Sequence, residues 1–213
     1  MKAVLIGASG MIGSRVLKEL VARGHTVTAV VRDPSRVEAG AGLTAVQGDV
    51  MDMAGLERIF GGADAVVSAY SPGQGSEGRL TEATRSLLAA ANKAGVRRVL
   101  IVGGAGSLYV APGVTVIQSG HLPKEWVVIA QAHADTLEML RSSPLAAELE
   151  WTYFSPAGFI QPGERTRKFR LGKDDLIVDA QGQSRISAED YAVALVDELE
   201  KPQHIRQRFT VGY

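Results

Sequence analysis

Short apolar, β-branched runs alternate along the chain with longer stretches in which apolar residues recur every three or four positions. "AVLIG" (3–7) precedes a helical pattern over 11–23, "TVTAVV" (26–31) a short turn, and "LTAVQ" (43–47) a helical pattern over 53–60; "DAVVSA" (64–69) is followed by one over 79–94 and "RVLIVG" (98–103) by one over 124–141. Strands apolar on consecutive positions suit burial on both faces, and their alternation with helices suits a parallel sheet. The fold class expected is α/β, a doubly wound parallel sheet with helices on both faces.

Punctuation sets the boundaries. Gly24 and Gly95 stand just after helical patterns that carry Arg23 and Lys93 near their ends, as helix C-termini do. After "WTYFSP" (151–156) the pattern gives way to a Gly-, Pro- and charge-rich excursion, 157–185. Within it "FRLG" and "LIVDA" read as two short strand-like pieces of a hairpin or loop. "SAEDYAVALVDELEKP" then predicts a helix opening on Ser187, with Asp190 three residues on as a near capping box, and "QRFTVGY" a final strand.

Length and charge narrow the classes. The 213 residues suit one sizeable core, so 1–213 is expected as a single domain. Lys plus Arg and Asp plus Glu are both 23, which argues against nucleic acid or anionic membrane as partners. The basic run "RTRKFR" (165–170) then reads as a solvated face or as the rim of a substrate mouth. With no cysteine there is no thiolate metal site and no disulfide, and the cytoplasm is the expected compartment. The uncharged stretch 99–120 is interrupted by Gly103, Gly104, Gly106, Pro112 and Gly113, so it reads as strand and loop rather than a membrane span. Nor does any His or carboxylate group have ligand spacing, so no metal is expected.

The chemistry is concentrated in "LIGASGMIGSRV" (5–16), where Gly7, Gly10 and Gly13 stand between a strand and a helix. Gly7 permits the tight turn, Gly10 lets a pyrophosphate approach the backbone, and Gly13 lets the helix pack closely on the sheet, as in the Rossmann dinucleotide fold. The helix N-terminus then faces the anion with unpaired N–H groups, and Ser9 adds a hydroxyl donor. The second strand ends in "VVRDPSR" (30–36): Arg32 and Arg36 could clasp a ribose 2′-phosphate, which favours NADPH over NADH. Alternatively Arg32 pairs with Asp33 or solvent, and Asp33 reaches the ribose. In "QGDV" (47–50), Asp49, with Val50 beside it, either accepts from the adenine amino group or caps a helix. "SAYSPG" (68–73) and "VGGAG" (102–106) end the next two strands; Ser68, Ala69, Tyr70 and Gly103 there leave room for ribose and nicotinamide.

With these motifs the chain resembles an atypical member of the short-chain dehydrogenase/reductase superfamily, in the NAD(P)H-binding and NADH-flavin reductase group. The likeness rests on "GASGMIG", "GDVMD", "SAYSPG", "SPAGFIQPGERTRKFRLG", "SRISAEDYAVALVDELEKP" and "FTVGY". It implies Gly7, Ser9, Gly10, Met11 and Ile12 on the pyrophosphate, Arg32 at the adenosine ribose and Pro156 near the nicotinamide. The Tyr-x-x-x-Lys pair of alcohol-processing members is missing: its positions fall on Ile129 and His133, and the partner Ser falls at Gly103–Gly104. The likeness extends to biliverdin and flavin reductases, which lack that pair and carry a His at the same place. This implies direct hydride transfer from the nicotinamide to a stacked, electron-poor ring.

His133 is the best single candidate for catalysis, although a histidine on an apolar helix face is commonly a packing residue. The reading is an NAD(P)H-dependent oxidoreductase acting on a small-molecule acceptor, a flavin, quinone or similar conjugated ring. Tyr70, Tyr109, Trp126 and Phe159 are available as aromatic walls or as core. The rival is a non-catalytic NADP(H)-binding redox sensor; nucleotide-sugar epimerase chemistry would need a proton donor the sequence does not offer. No heptad seam indicates an oligomeric state.

Overall fold

A computed structural model describes residues 1–213 except Gln74. In chain order its elements are β1 (Lys2–Ile6), α1 (Met11–Ala22), β2 (Thr26–Val31), a 3₁₀ turn (Pro34–Arg36), β3 (Leu43–Gln47), α2 (Met53–Phe60), β4 (Ala65–Ser68), α3 (Arg79–Ala94), β5 (Arg98–Val102), β6 (Tyr109–Ala111) and β7 (Val114–Thr115). There follow α4 (Lys124–Ser142), α5 (Pro144–Ala147), β8 (Glu150–Ser155), β9 (Phe159–Gln161), β10 (Arg170–Gly172), β11 (Arg185–Ser187), α6 (Ala188–Glu200) and β12 (Gln207–Gly212).

The main sheet runs β10-β12-β8-β5-β4-β1-β2-β3. All its pairings are parallel except β10 with β12. The order reverses between β1 and β4, so the loops after β1 and β4 diverge and leave a crevice at the strands' carboxyl ends. Alternate strand residues feed two cores. Leu5, Ala29, Val67, Leu100 and Phe154 face α1 and α6, packing with Val16, Leu20, Tyr191 and Leu195. Val4, Val66, Val99, Trp151 and Tyr153 face the other way, toward Leu56, Leu87, Leu88, Leu137 and Leu140 of α2, α3 and α4. Both faces are thus covered, which consecutive apolar positions require.

The excursion differs from expectation. "FRLG" supplies β10, which pairs antiparallel with β12 and extends the main sheet, while "LIVDA" forms no strand. β9, within the excursion, pairs parallel with β11, which begins at the excursion's last residue, in a separate two-stranded sheet, and the loop after β5 contains the β6–β7 hairpin. The capping box is half made. Ser187 Oγ accepts from the Asp190 N–H at 3.0 Å, but the Asp190 carboxylate turns to the excursion, accepting from Thr166 Oγ1 (2.6 Å), the Arg167 N–H (2.8 Å) and Tyr213 Oη (2.9 Å). The excursion is also fastened to α1. Glu19, only 5 % exposed, receives Arg165 through both carboxylate oxygens at 2.8 and 2.7 Å and Arg23 at 2.7 Å. Among the described residues no helix is long and apolar enough to cross a membrane.

Candidate active site

The turn from β1 into α1 is built from close backbone approaches. Gly7 sits at φ +78°, and a Cβ on it would fall 2.5 Å from the Ala69 carbonyl oxygen. A Cβ on Gly13 would lie 2.1 Å from the Gly7 oxygen, so α1 meets the turn at a distance only glycine allows. Gly10 differs: its φ of −77° suits any residue, and the nearest atom to a Cβ is 3.3 Å away. It caps α1 with no side-chain bond and no acid follows in the first turn, leaving N–H groups at the start of the helix free for an anion.

A cleft of about 450 Å³ opens from this turn. Gly7, Ser9, Gly10, Arg32, Arg36, Asp49, Val50, Ala69 and Tyr70, all expected from the sequence, line it together. Arg32 makes no ion pair among the described residues; its neighbour Asp33 instead binds Ser35 through the backbone N–H (3.0 Å) and the hydroxyl (2.7 Å). Those bonds hold the Asp33 carboxyl below the usual carboxylate range. Asp49 is not the helix cap: it accepts from the Met51 N–H at 2.9 Å, and Asp52 caps α2 through the Gly55 N–H at 3.0 Å.

The cleft has one basic residue the sequence reading did not supply. Arg79, at the start of α3, lines it together with Ser76 and Ser71. Nothing local in the sequence marks Arg79, because only the fold brings it to the same cleft as Arg32 and Arg36. Uncapped amides at one end and three guanidiniums along the walls fit a phosphorylated dinucleotide by shape and charge.

The remaining expected residues lie outside this cleft. Met11 is exposed on the first turn of α1, while Ile12 packs against the core. Ser68 is buried at the end of β4, and Pro156 is buried just past the end of β8. Gly103 faces the ring of Tyr153, which a Cβ would meet at 2.3 Å. His133, half-buried on α4, packs on Gly104, where a Cβ would fall 2.7 Å from its own. Neighbours crowd its ring, and desolvation pushes its pKa down to about 4. The Tyr153 phenol is fully buried and its pKa is raised for the same reason. The aromatics do not converge: Tyr70 lines the cleft, Phe159 lines a separate groove of about 910 Å³ along the excursion, and Tyr109 and Trp126 are exposed.

The model of an NAD(P)H-binding family matches residues 7–202. The chain belongs to this family. Over 215 aligned residues it is 40% identical to the uncharacterized protein YwnB of Bacillus subtilis (strain 168), covering 99% of this chain and 98% of that one. A protein from Bacteroides thetaiotaomicron, provisionally named an epimerase, superposes with a TM-score of 0.94 at 43% identity, over 100% of this chain and 96% of that one. One from Streptococcus pneumoniae, provisionally named an NADH-flavin reductase, superposes with a TM-score of 0.86 at 32% identity, over 100% and 99%. In this member of the NAD(P)H-binding family, the cleft beside the β1–α1 turn is lined by Arg32, Arg36 and Arg79 and adjoins the uncapped start of α1.

Proposed function

We propose that the chain is an NADP(H)-dependent reductase of flat, conjugated small molecules, flavins or quinones. The observation that carries this reading is the combination of an arginine-lined dinucleotide cleft with a neighbouring strand edge that holds no poised proton donor. The dinucleotide supplies a hydride, two electrons and one proton, to the acceptor ring. The chain's own residues do the rest. The free amides of α1 hold the pyrophosphate, and Arg32, Arg36 and Arg79 receive the adenosine half with its 2′-phosphate.

Past the end of β5, Gly103 leaves room for the Tyr153 ring and Gly104 for His133, so these two side chains are the ones to weigh as proton donors. His133, neutral because burial opposes its charge, has no proton to give as imidazolium, and the only phenol hydrogen beside it is donated at 2.8 Å to the His133 carbonyl. Reduction of a simple carbonyl or epimerisation of a sugar carbon needs a proton moved by the protein. Reduction of a conjugated ring spreads the new charge over the ring, and the second proton comes from solvent.

The test is steady NADPH consumption with FMN and with a small quinone, for the wild type and His133→Ala. Turnover above the enzyme-free blank is expected, with His133→Ala costing no more than about tenfold, whereas general acid catalysis is worth roughly 10²–10⁴-fold. Tight NADPH binding without turnover of any acceptor would instead favour a redox sensor.

A further inference from the structure

Around Tyr153 the hydrogens can be assigned one by one. The Gly104 N–H, purely a donor, lies 3.2 Å from Tyr153 Oη. The His133 carbonyl, purely an acceptor, lies 2.8 Å from the same oxygen, so the phenol's single hydrogen goes to it. His133 Nδ1 lies 3.2 Å from that oxygen, whose hydrogen is already committed, so Nδ1 must be the donor. The imidazole is therefore the Nδ1–H tautomer, and Nε2 carries a bare lone pair. Nε2 has no hydrogen-bond partner among the described residues and is not sealed off as a buried orphan. Gly104 lies beside the ring and any side chain there would clash with it, since a Cβ would meet His133 Cγ at 2.8 Å and Cδ2 at 3.0 Å.

We propose that His133 Nε2 is a hydrogen-bond acceptor that selects conjugated substrates carrying an N–H donor on the ring edge, isoalloxazines with their imide hydrogen above all, and that Tyr153 is the residue that positions it. This rests on the reductase reading above. A simple quinone presents only carbonyl oxygens, which would set lone pair against lone pair at Nε2, whereas the flavin N3–H supplies the missing hydrogen. Burial, which keeps the ring uncharged through the neutral range, prevents Nε2 from becoming a donor and reversing the preference.

Two measurements test this. In the protein without cofactor, labelled with ¹⁵N-histidine and with the His133 signal assigned by its loss in His133→Gln, long-range proton–nitrogen correlations report the tautomer. Nδ1 is expected protonated and Nε2 unprotonated from about pH 6 to 9, across the ordinary histidine titration. A protonated Nε2, or a tautomer mixture, would overturn the proposal. Tyr153→Phe, where it folds, is expected to release the lock and give a mixture.

In the second measurement, an N3-methylated flavin replaces the parent flavin with NADPH as donor. For the wild type kcat/KM is expected to fall about tenfold, the worth of one neutral hydrogen bond with its unpaired partner. For His133→Phe the two flavins are expected to react equally. If the wild type reduces both flavins equally well, the selectivity is wrong while the reductase reading stands. If it reduces no acceptor at all, the reductase reading itself fails and the selectivity with it.

Discussion

Arg32 is legible in the sequence because a cation at the end of the second strand stands where a dinucleotide's ribose must come; Arg79 is not, because only the fold carries it to the same cleft. If Arg32 holds the 2′-phosphate, Arg32→Asp exchanges a charge-assisted hydrogen bond for repulsion. The loss for NADPH is expected to be about 1.5–3 kcal/mol, roughly ten- to 150-fold, with NADH little changed. Calorimetric titration with both cofactors measures it, and an unaltered preference would reduce Arg32 to a solvent-facing residue. Gly103 shows the opposite limit of sequence reading. Its lack of a side chain can be read as room for ligand, yet the space a Cβ would take belongs to the Tyr153 ring at 2.3 Å. Gly103→Ala is expected to lower stability by about 1–3 kcal/mol through overpacking, seen as an earlier denaturant midpoint.

Among the elements, the parallel strands and the helices that cover them follow from the apolar runs and their 3.6-residue counterparts, because burial on two faces leaves a strong local pattern. The start of α1 is equally readable: three glycines at fixed offsets have few physical uses. Gly10→Val is expected to leave the fold intact, since φ is −77° and only the Gly7 oxygen is near, while severely weakening NADPH binding. Wild-type affinity in that variant would move the anion away from the turn. The excursion was less readable, because its strands are three residues long and their pairing is decided by what they pack on. "FRLG" is held by β12 rather than by "LIVDA", and Asp190, read from its spacing as half of a capping box, ties down Thr166 and Arg167 instead. Asp190→Ala leaves those two donors without their acceptor, while Tyr213 Oη still has Ser187 Oγ at 2.9 Å. Hydrogen exchange is expected to rise over 163–169, with a stability loss of about 1–3 kcal/mol.

For the molecule as a whole, charge placement predicts an acid-side decline of stability in two stages. The His133 pKa, about 4 when folded, lies below its usual 6.5, so as pH falls the unfolded chain takes up that proton first. The stability it represents, at most about 3 kcal/mol, is full above about pH 6.5 and is lost toward pH 4. Glu19 follows: the bidentate Arg165 holds its carboxyl below 4.5, despite the opposing cost of burial, and Arg23 adds to the effect. That contribution is present above 4.5 and disappears as pH drops through the lower folded value. Melting temperature against pH is expected to flatten over the upper stage in His133→Gln and over the lower stage in Glu19→Gln. The two stages belong to opposite faces of the sheet, since His133 lies on α4 while Glu19 joins α1 to the excursion.

Hydride passage from a bound dinucleotide to a flat acceptor is tested most directly by NADPH deuterated in turn at each face of the nicotinamide C4, with FMN as acceptor. The account predicts turnover above the enzyme-free blank, a primary isotope effect for one face and none for the other, and loss of both turnover and effect in Gly10→Val. Saturable NADPH binding with no FMN reduction above the blank, or an equal effect from both faces, would contradict it.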